Sequence, residues 1–424
     1  MDHPWVRNVI INFITNSVDI FGENSTYQGF EVEEESNKKD AQKRDDGFNS
    51  RPYYGNIIYQ DERGNVHKSN AVMLKIMPSM SISKFISFQY LNEMNFYTKI
   101  IPAMNTIDNS FSTLFPKFYH GEMTFAAGKD KSMMILEDLK HSGYKMAPKK
   151  SFLDLDHLML MMRKLGQFHA FSYKAKRDIP ELFHPLVNNI PETNFLANHE
   201  LRNFLRLVGQ RALESLQRDP KYEKYVRKFK ALLEKTDEIY VDVLTGDTKN
   251  PLSVFCHGDY LRNNIMFKYE NNVPVDLKLV DMATCRYASP VIDLLGVLYM
   301  NCDQSTRNTH WNKLIDQYYT ALKETFPKTQ VPCRSTILSE FVGKSFYGYL
   351  ITTYFLPSLI ADDNNIPFEL TLDPEISRKF QEFRVMEIPK EILAQAYAAT
   401  GGEIATKAVS DVLKDMIDRR FVCT

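Results

Sequence analysis

Three oxygen-bearing side chains at fixed intervals, Asp259, Asn264 and Asp281, are the residues of this chain best suited to chemistry. They lie in Cys256-His257-Gly258-Asp259-Tyr260-Leu261-Arg262-Asn263-Asn264-Ile265-Met266-Phe267 and in the later Leu279-Val280-Asp281. Asp259 precedes Asn264 by five residues, an interval at which one tight loop presents a carboxylate to an attacking hydroxyl and an amide oxygen to a metal. The pattern predicts strands over 265–269 and 276–282 around the turn Glu270-Asn271-Asn272-Val273-Pro274, so pairing would bring the Asn264 and Asp281 oxygens together. Phosphoryl transfer needs a proton acceptor near the nucleophile and oxygen ligands for Mg2+, because its loose transition state is served by positioning and charge neutralisation. A lone His-Gly-Asp is more simply a turn whose Asp caps a helix. With Asn264, the hairpin and Asp281 added, the segment reads as a kinase-type catalytic loop with Asp259 as base.

The elements that would position these groups follow along the chain. Val6, Val9, Ile10, Phe13 and Ile14 form a helical stripe at the N-terminus, and a charged, aperiodic run over about 31–46 predicts a solvated loop. Gly47-Phe48-Asn49-Ser50 then leads into a strand over 53–60, a polar turn and a strand over 66–77. Gly47, with Asn49 and Ser50 as further donors, is a candidate phosphate-covering turn, since backbone amides approach phosphate only where side chains leave room. An ordinary turn explains it as well, for no full glycine-rich fingerprint is present.

Lys75 stands in the apolar strand Ala71 to Met77, where an ammonium needs an anion. Glu93, on a helix predicted over 88–101 with Phe88, Leu91, Phe96 and Ile100 as its apolar positions, is its candidate partner. Met133 to Leu139 reads as a buried strand breaking into Lys140-His141-Ser142-Gly143, a hinge over 137–143 where the main chain of Glu137, Asp138 and Leu139 would hold adenine. From Leu153 the pattern is helical, with Leu158, Met161, Met162, Leu165 and Phe168 at helical spacing. His169 lies on that apolar side and reads as a packed, hydrogen-bonded histidine.

Composition narrows the class. A chain of 424 residues that is 44% hydrophobic can bury two cores. Its 52 basic and 53 acidic residues give no field for nucleic acid or anionic membrane. The five cysteines, scattered and odd in number, predict reduced thiols and a cytoplasmic protein. The stripe at the N-terminus is unlike a signal peptide, and the longest apolar run, 347–361, is too short and too polar for a membrane helix. A small hydroxylated molecule is the expected partner, and oligomeric state is left open.

Five ordered phrases resemble the insect ecdysteroid-kinase-like (CHK kinase-like) family, related to choline and aminoglycoside kinases. They are Glu93-Met94-Asn95-Phe96-Tyr97, Leu136-Glu137-Asp138-Leu139, Leu165-Gly166-Gln167-Phe168-His169-Ala170-Phe171-Ser172, Cys256-His257-Gly258-Asp259 with Asn263-Asn264-Ile265-Met266-Phe267, and Ser289-Pro290-Val291-Ile292-Asp293-Leu294-Leu295. The resemblance implies an α+β, protein-kinase-like bilobal fold. On it, an N-lobe covers 1–136, the hinge 137–143, and a helical C-lobe 144–424 that holds the catalytic hairpin 254–285. It implies ATP and Mg2+ as cofactors, Asp259 as base with His257 and Asp293 bracing its loop, Asn264 and Asp281 as metal ligands, and Lys75 with Glu93 on phosphate. The implied acceptor is an ecdysteroid-like steroid or another hydroxylated compound, as in detoxication.

The chain departs from the family pattern at Met282, where a phenylalanine is expected, and at Tyr260-Leu261-Arg262, where Arg262 beside the nucleophile could alter the acceptor. The aromatic segment Phe341, Phe346, Tyr347, Tyr349, Tyr354 and Phe355 could line an apolar cavity or form plain core. It holds no acidic residue as far as Ile360, which favours a neutral alcohol over a choline- or aminoglycoside-like cation. An inactive kinase-fold binding protein is the alternative of a different class. A protein kinase fits least, because no Ala-Pro-Glu segment follows Asp281.

Overall fold

The computed structural model describes residues 3–33, 51–77, 84–125, 130–149, 151–190, 199–245, 250–364 and 389–423. The chain has an α+β architecture and divides into two compact units, residues 1–146 with 263–284, and residues 147–262 with 285–424. Gly47, Asn49, Ser50 and nearly all of the charged run lie outside the described residues.

In the first unit, the strands β1 (Thr26–Val32), β2 (Arg51–Gln60), β3 (Val66–Ile76), β4 (Phe118–Thr124) and β5 (Lys131–Glu137) form an antiparallel sheet in the order β1-β2-β3-β5-β4. The first helix, Pro4–Asn16, buries Val6, Val9, Ile10, Phe13 and Ile14 in a core shared with Ile57, Val72, Leu74, Met133 and Ile135. This is the predicted stripe, packed on the sheet's apolar positions. β1 was not predicted, and it takes residues 31 and 32 from the expected loop. Its residues are exposed or half-buried, and a register shift between Tyr27 and Gly29 breaks the alternation of this edge strand. Gly55 is required opposite it, since a Cβ there would collide with the Glu31 carbonyl oxygen.

A three-stranded sheet, β6 (Tyr144–Lys145), β8 (Ile265–Glu270) and β9 (Val273–Leu279), belongs to the same unit. β6 pairs with β8 through Tyr144↔Lys268, which groups 263–284 with the first unit, whereas the sequence reading placed the hairpin with the C-terminal part. The hairpin turns on Asn271 and Asn272 alone, with φ of 50° and 64°, the two-residue geometry that matches strand twist. The predicted five-residue turn was too long, because Val273 and Pro274 already pair with Glu270 and Tyr269.

The helix Lys84–Asn95 runs through a π turn, Phe96–Ile100, into Ile101–Asn105. Pro102 supplies no N–H to the preceding turn, and the Ile101 N–H bonds the Phe96 carbonyl instead. The expected apolar face is rotated: Phe88 is exposed and Leu91 half-buried, while Tyr90, Asn92, Glu93, Met94 and Tyr97 are buried.

The second unit is mainly helical. Leu155–Asp178 starts on an Asp154 cap and buries Leu158, Met161, Met162, Leu165 and Phe168, as its periodicity predicted. The short strands β7 (Val254–Cys256) and β10 (Arg286–Ala288) pair beside it. Phe341, Phe346, Tyr347 and Tyr349 are buried core, with the Tyr349 hydroxyl donating to the Gly209 carbonyl at 2.6 Å, so most of the aromatic segment lines no cavity. No described helix is long and apolar enough to cross a membrane. All five cysteines are free thiols, only Cys333 being exposed.

Phe13 meets the Phe21 ring edge-on at 5.0 Å and the His120 ring face-on at 5.9 Å. Phe13→Ala is expected to cost about 3–5 kcal/mol, measured as a lower urea midpoint of the transition reporting on the first unit.

Candidate functional site

The candidate residues fall in both units, and each set is built within its own. In the first unit, the centre is Lys75, which β3 delivers to a buried position against β5, opposite Met134. Its Nζ donates to Glu93 Oε2 at 2.5 Å and to Asp281 Oδ1 at 3.0 Å. Burial alone would push the lysine down, but the Asp281 and Glu93 carboxylates outweigh it and hold the ammonium well above the ordinary lysine range. Lys75 is therefore a fixed cation.

Glu93 is 1% exposed, and the same helix donates from Asn92 Nδ2 to the Ala283 carbonyl at 3.1 Å. The Met282 N–H also reaches the Glu93 carboxylate. That pair of contacts ties the helix to the segment after β9. Met282 is fully buried there, filling the place where a phenylalanine was expected.

Asn264 and Asp281 close one end of the hairpin. Ile265 pairs with Leu279, and the Val280 N–H donates to the Asn264 carbonyl at 3.0 Å, so residues 17 apart in sequence stand at the same end. The predicted strand through 282 ends at Leu279, because Asp281 adopts φ 61° and turns the chain. Aspartate tolerates this left-handed backbone better than most residues. One amide oxygen and one carboxylate, both hard donors, suit Mg2+.

The segment after β5 is tightly engaged with itself. The Glu137 N–H donates to the Lys117 carbonyl at 2.8 Å, and the Leu139 carbonyl accepts from Ser142 and Tyr144 at 3.1 and 2.9 Å. Asp138, 1% exposed, accepts from the Lys140 N–H at 2.9 Å and pairs with His141 at 3.1 Å. These bonds hold the turn in one shape.

In the second unit, the Asp259 loop hangs on Asp293. The His257 N–H donates to Asp293 Oδ2 at 2.7 Å and the Gly258 N–H to Oδ1 at 2.9 Å. Gly258 has φ 82°, a left-handed conformation that glycine adopts without a Cβ penalty, and it turns the chain into Asp259. Asp259 follows half-buried. The His257 ring is fully buried. Tyr260 is anchored by its hydroxyl to the Met161 carbonyl at 3.0 Å.

Arg262 is drawn into the interior. It is 2% exposed, its guanidinium reaches the Ala147 carbonyl at 3.4 Å, and its N–H is held by Asn301 Oδ1 at 2.9 Å. The burial of a residue that looks solvent-seeking by type could not be read from its neighbours. Sequence reasoning also left two contributors outside the site. His169 is packed and hydrogen-bonded, and its partner is Asp293, at 3.1 Å from Nε2. Ser172, one turn further, accepts from the Phe255 N–H at 2.8 Å and so fixes the strand that leads into the loop. Both lie in the Leu165-to-Ser172 phrase, which was the available signal.

The candidate residues are thus, in the first unit, a buried lysine between two acids beside a hairpin end with two oxygen donors and, in the second, a braced aspartate loop. The chain belongs to the ecdysteroid kinase-like family, whose pattern matches residues 45–331. Kinases and transferases acting on small molecules are its class. No curated protein matches the chain. Among solved structures it is similar to a GDP complex of aminoglycoside 2'-phosphotransferase-IIIa, at 14% identity and a TM-score of 0.38 over 93% of this chain and 99% of that one. It is also similar to an AMP-bound spectinomycin phosphotransferase, at 12% identity and a TM-score of 0.35 over 92% and 98%.

Lys75→Met leaves Glu93 buried without its cation and is expected to destabilise the protein by about 3–5 kcal/mol. Lys75→Met/Glu93→Leu should recover much of that loss in urea denaturation; equal or greater loss in the double variant would show that the pair is not what Lys75 contributes.

Proposed function

We propose that this protein transfers the γ-phosphate of ATP, with Mg2+, to a hydroxyl of a small apolar molecule in the cytoplasm. The observation that carries the reading is Lys75, held as a cation between Glu93 and Asp281 at the hairpin end that also bears Asn264. A fixed ammonium there suits the phosphates of a nucleotide, and Asn264 with Asp281 would hold the metal. Mg2+ when bound supplies charge neutralisation on the phosphate oxygens. The main chain of Glu137 to Leu139 is assigned to adenine, and Gly47 with Ser50 to the phosphate-covering turn.

Asp259 accepts the proton of the acceptor hydroxyl as its oxygen bonds to phosphorus, and the bond to the ADP oxygen breaks. His257 and Asp293 act through the loop. The bracing matters because a base contributes only when it stays within hydrogen-bond reach of the proton it takes.

The apolar acceptor is supported beside that loop. Leu261, two residues after Asp259, lies in a buried core with Met300, Leu356, Ile360 and Ala405, and the apolar surface left open beside that core belongs to half-buried Phe152, Phe355 and Leu359. A hydroxylated compound with an apolar body, ecdysteroid-like or a xenobiotic, suits such a wall better than a choline- or aminoglycoside-like cation.

Mass spectrometry of a panel of ecdysteroids, plant phenolics and choline, incubated with Mg-ATP, tests the reading. Phosphate is expected on an apolar alcohol, with Asp259→Asn slowing transfer by about 10²-fold or more. Asp281→Asn should abolish the Mg2+-dependent part of the ATP-induced rise in melting temperature. Neither product nor any ATP-induced shift in the wild type would overturn the proposal, and ATP binding without product would favour an inactive, ligand-holding kinase fold.

A further inference from the structure

The Leu155–Asp178 and Gln304–Thr325 helices approach closely at Gly166, where a Cβ would collide with the Tyr318 carbonyl oxygen and stand 2.9 Å from the Ala321 Cβ. One turn along, the Tyr318 hydroxyl lies 2.9 Å from His169 Nδ1. His169 Nε2 lies 3.1 Å from Asp293 Oδ2, the oxygen that also accepts the His257 N–H. Tyr318 and His169 are 0% exposed and Asp293 1%, so solvent is excluded from the whole row.

Proton positions along this row follow from who can accept. Asp293 receives two backbone N–H groups and is an acceptor when ionised, so the hydrogen between it and His169 sits on Nε2. A neutral imidazole then has a bare Nδ1, which can only accept. Among the described residues, the Tyr318 hydroxyl has no other partner. Donation to Nδ1 is thus the arrangement that leaves neither the hydroxyl proton nor the ring nitrogen unsatisfied in the interior. Burial pushes the phenol well above its ordinary range, so it keeps that proton.

We propose that Tyr318 is a positioning residue for phosphoryl transfer: its hydroxyl, donating to the bare Nδ1 of His169, holds the ring in the orientation in which Nε2–H meets Asp293, which keeps Asp293 aimed at the His257 and Gly258 amides and so holds Asp259 in place. This rests on the phosphotransfer reading for its effect on rate, though not for its effect on the loop. Without the hydroxyl, Nδ1 loses its donor and the ring is free to tilt, which weakens its bond to the Asp293 oxygen that also carries the His257 N–H.

Tyr318→Phe removes one oxygen and keeps the ring that packs on His169. Hydrogen exchange of the full-length variant is expected to quicken in the segment 255–261 and not across the remaining core. With an acceptor that turns over, kcat should fall about 3- to 10-fold, the size of one hydrogen bond's net worth, with the KM for Mg-ATP unchanged. In a His169→Gln background, Tyr318→Phe should add nothing to the loss of kcat or to the exchange. Faster exchange spread evenly through the fold, unchanged exchange at 255–261, or additive effects in the double variant would overturn the assignment. Nitrogen-15 spectra of histidine-labelled wild-type protein give a reading that needs no variant to fold: a bare Nδ1 at His169 is expected, and a protonated Nδ1 overturns it. If no acceptor is turned over, the phosphotransfer reading fails while the exchange and tautomer results still decide whether Tyr318 holds the loop.

Discussion

A buried carboxylate is costly to desolvate, and that cost is the constraint around which the second unit is arranged. Asp293 meets it with three N–H donors, two from the His257-Gly258 backbone and one from His169. The same bonds that make the charge tolerable shape the loop leading to Asp259. Ser172 and His169 come from one helix and Asp293 from another, so the loop inherits its rigidity from elements that have no chemistry of their own. Gly258, at φ 82°, then turns the chain into Asp259 in a conformation open to glycine.

The first unit solves the converse problem with a buried cation. Lys75 sits on a strand that is apolar around it, and two carboxylates from separate elements meet its ammonium. Glu93 arrives on a helix whose rotation buries charged and amide side chains at the expense of Phe88, which stays at the surface. Asp281 arrives because the hairpin ends at Leu279 and the chain turns sharply through a positive φ. Charge pairing here overrides the hydrophobic pattern that would otherwise set the helix face.

Much of this was legible. The hairpin, the lysine strand, the glutamate helix and the long helix from Leu155 follow from short-range periodicity, and the packing of the long helix agrees with it. What misled were features whose meaning depends on distant chain. β1 is a half-exposed edge strand without alternation. The aromatic segment after Phe341 looked able to line a cavity, yet its rings are mostly core, since apolar type alone does not distinguish a wall from an interior. Arg262 looked available by charge, while a carbonyl and a side-chain amide draw it inside.

By itself the sequence determined the chemical inventory: which residue can accept a proton, which can ligate a hard cation, and which lie on opposite strands of one short hairpin. These are properties of residue type and of spacings shorter than a hairpin, and they survive without knowledge of the fold. Only the tertiary structure decided that His169 and Tyr318 stand behind Asp293, that Glu93 faces inward, and that the His257 ring and Arg262 are sealed from solvent. Those outcomes depend on helices separated by more than a hundred residues meeting at a place where Gly166 leaves room, and no local pattern carries that distance.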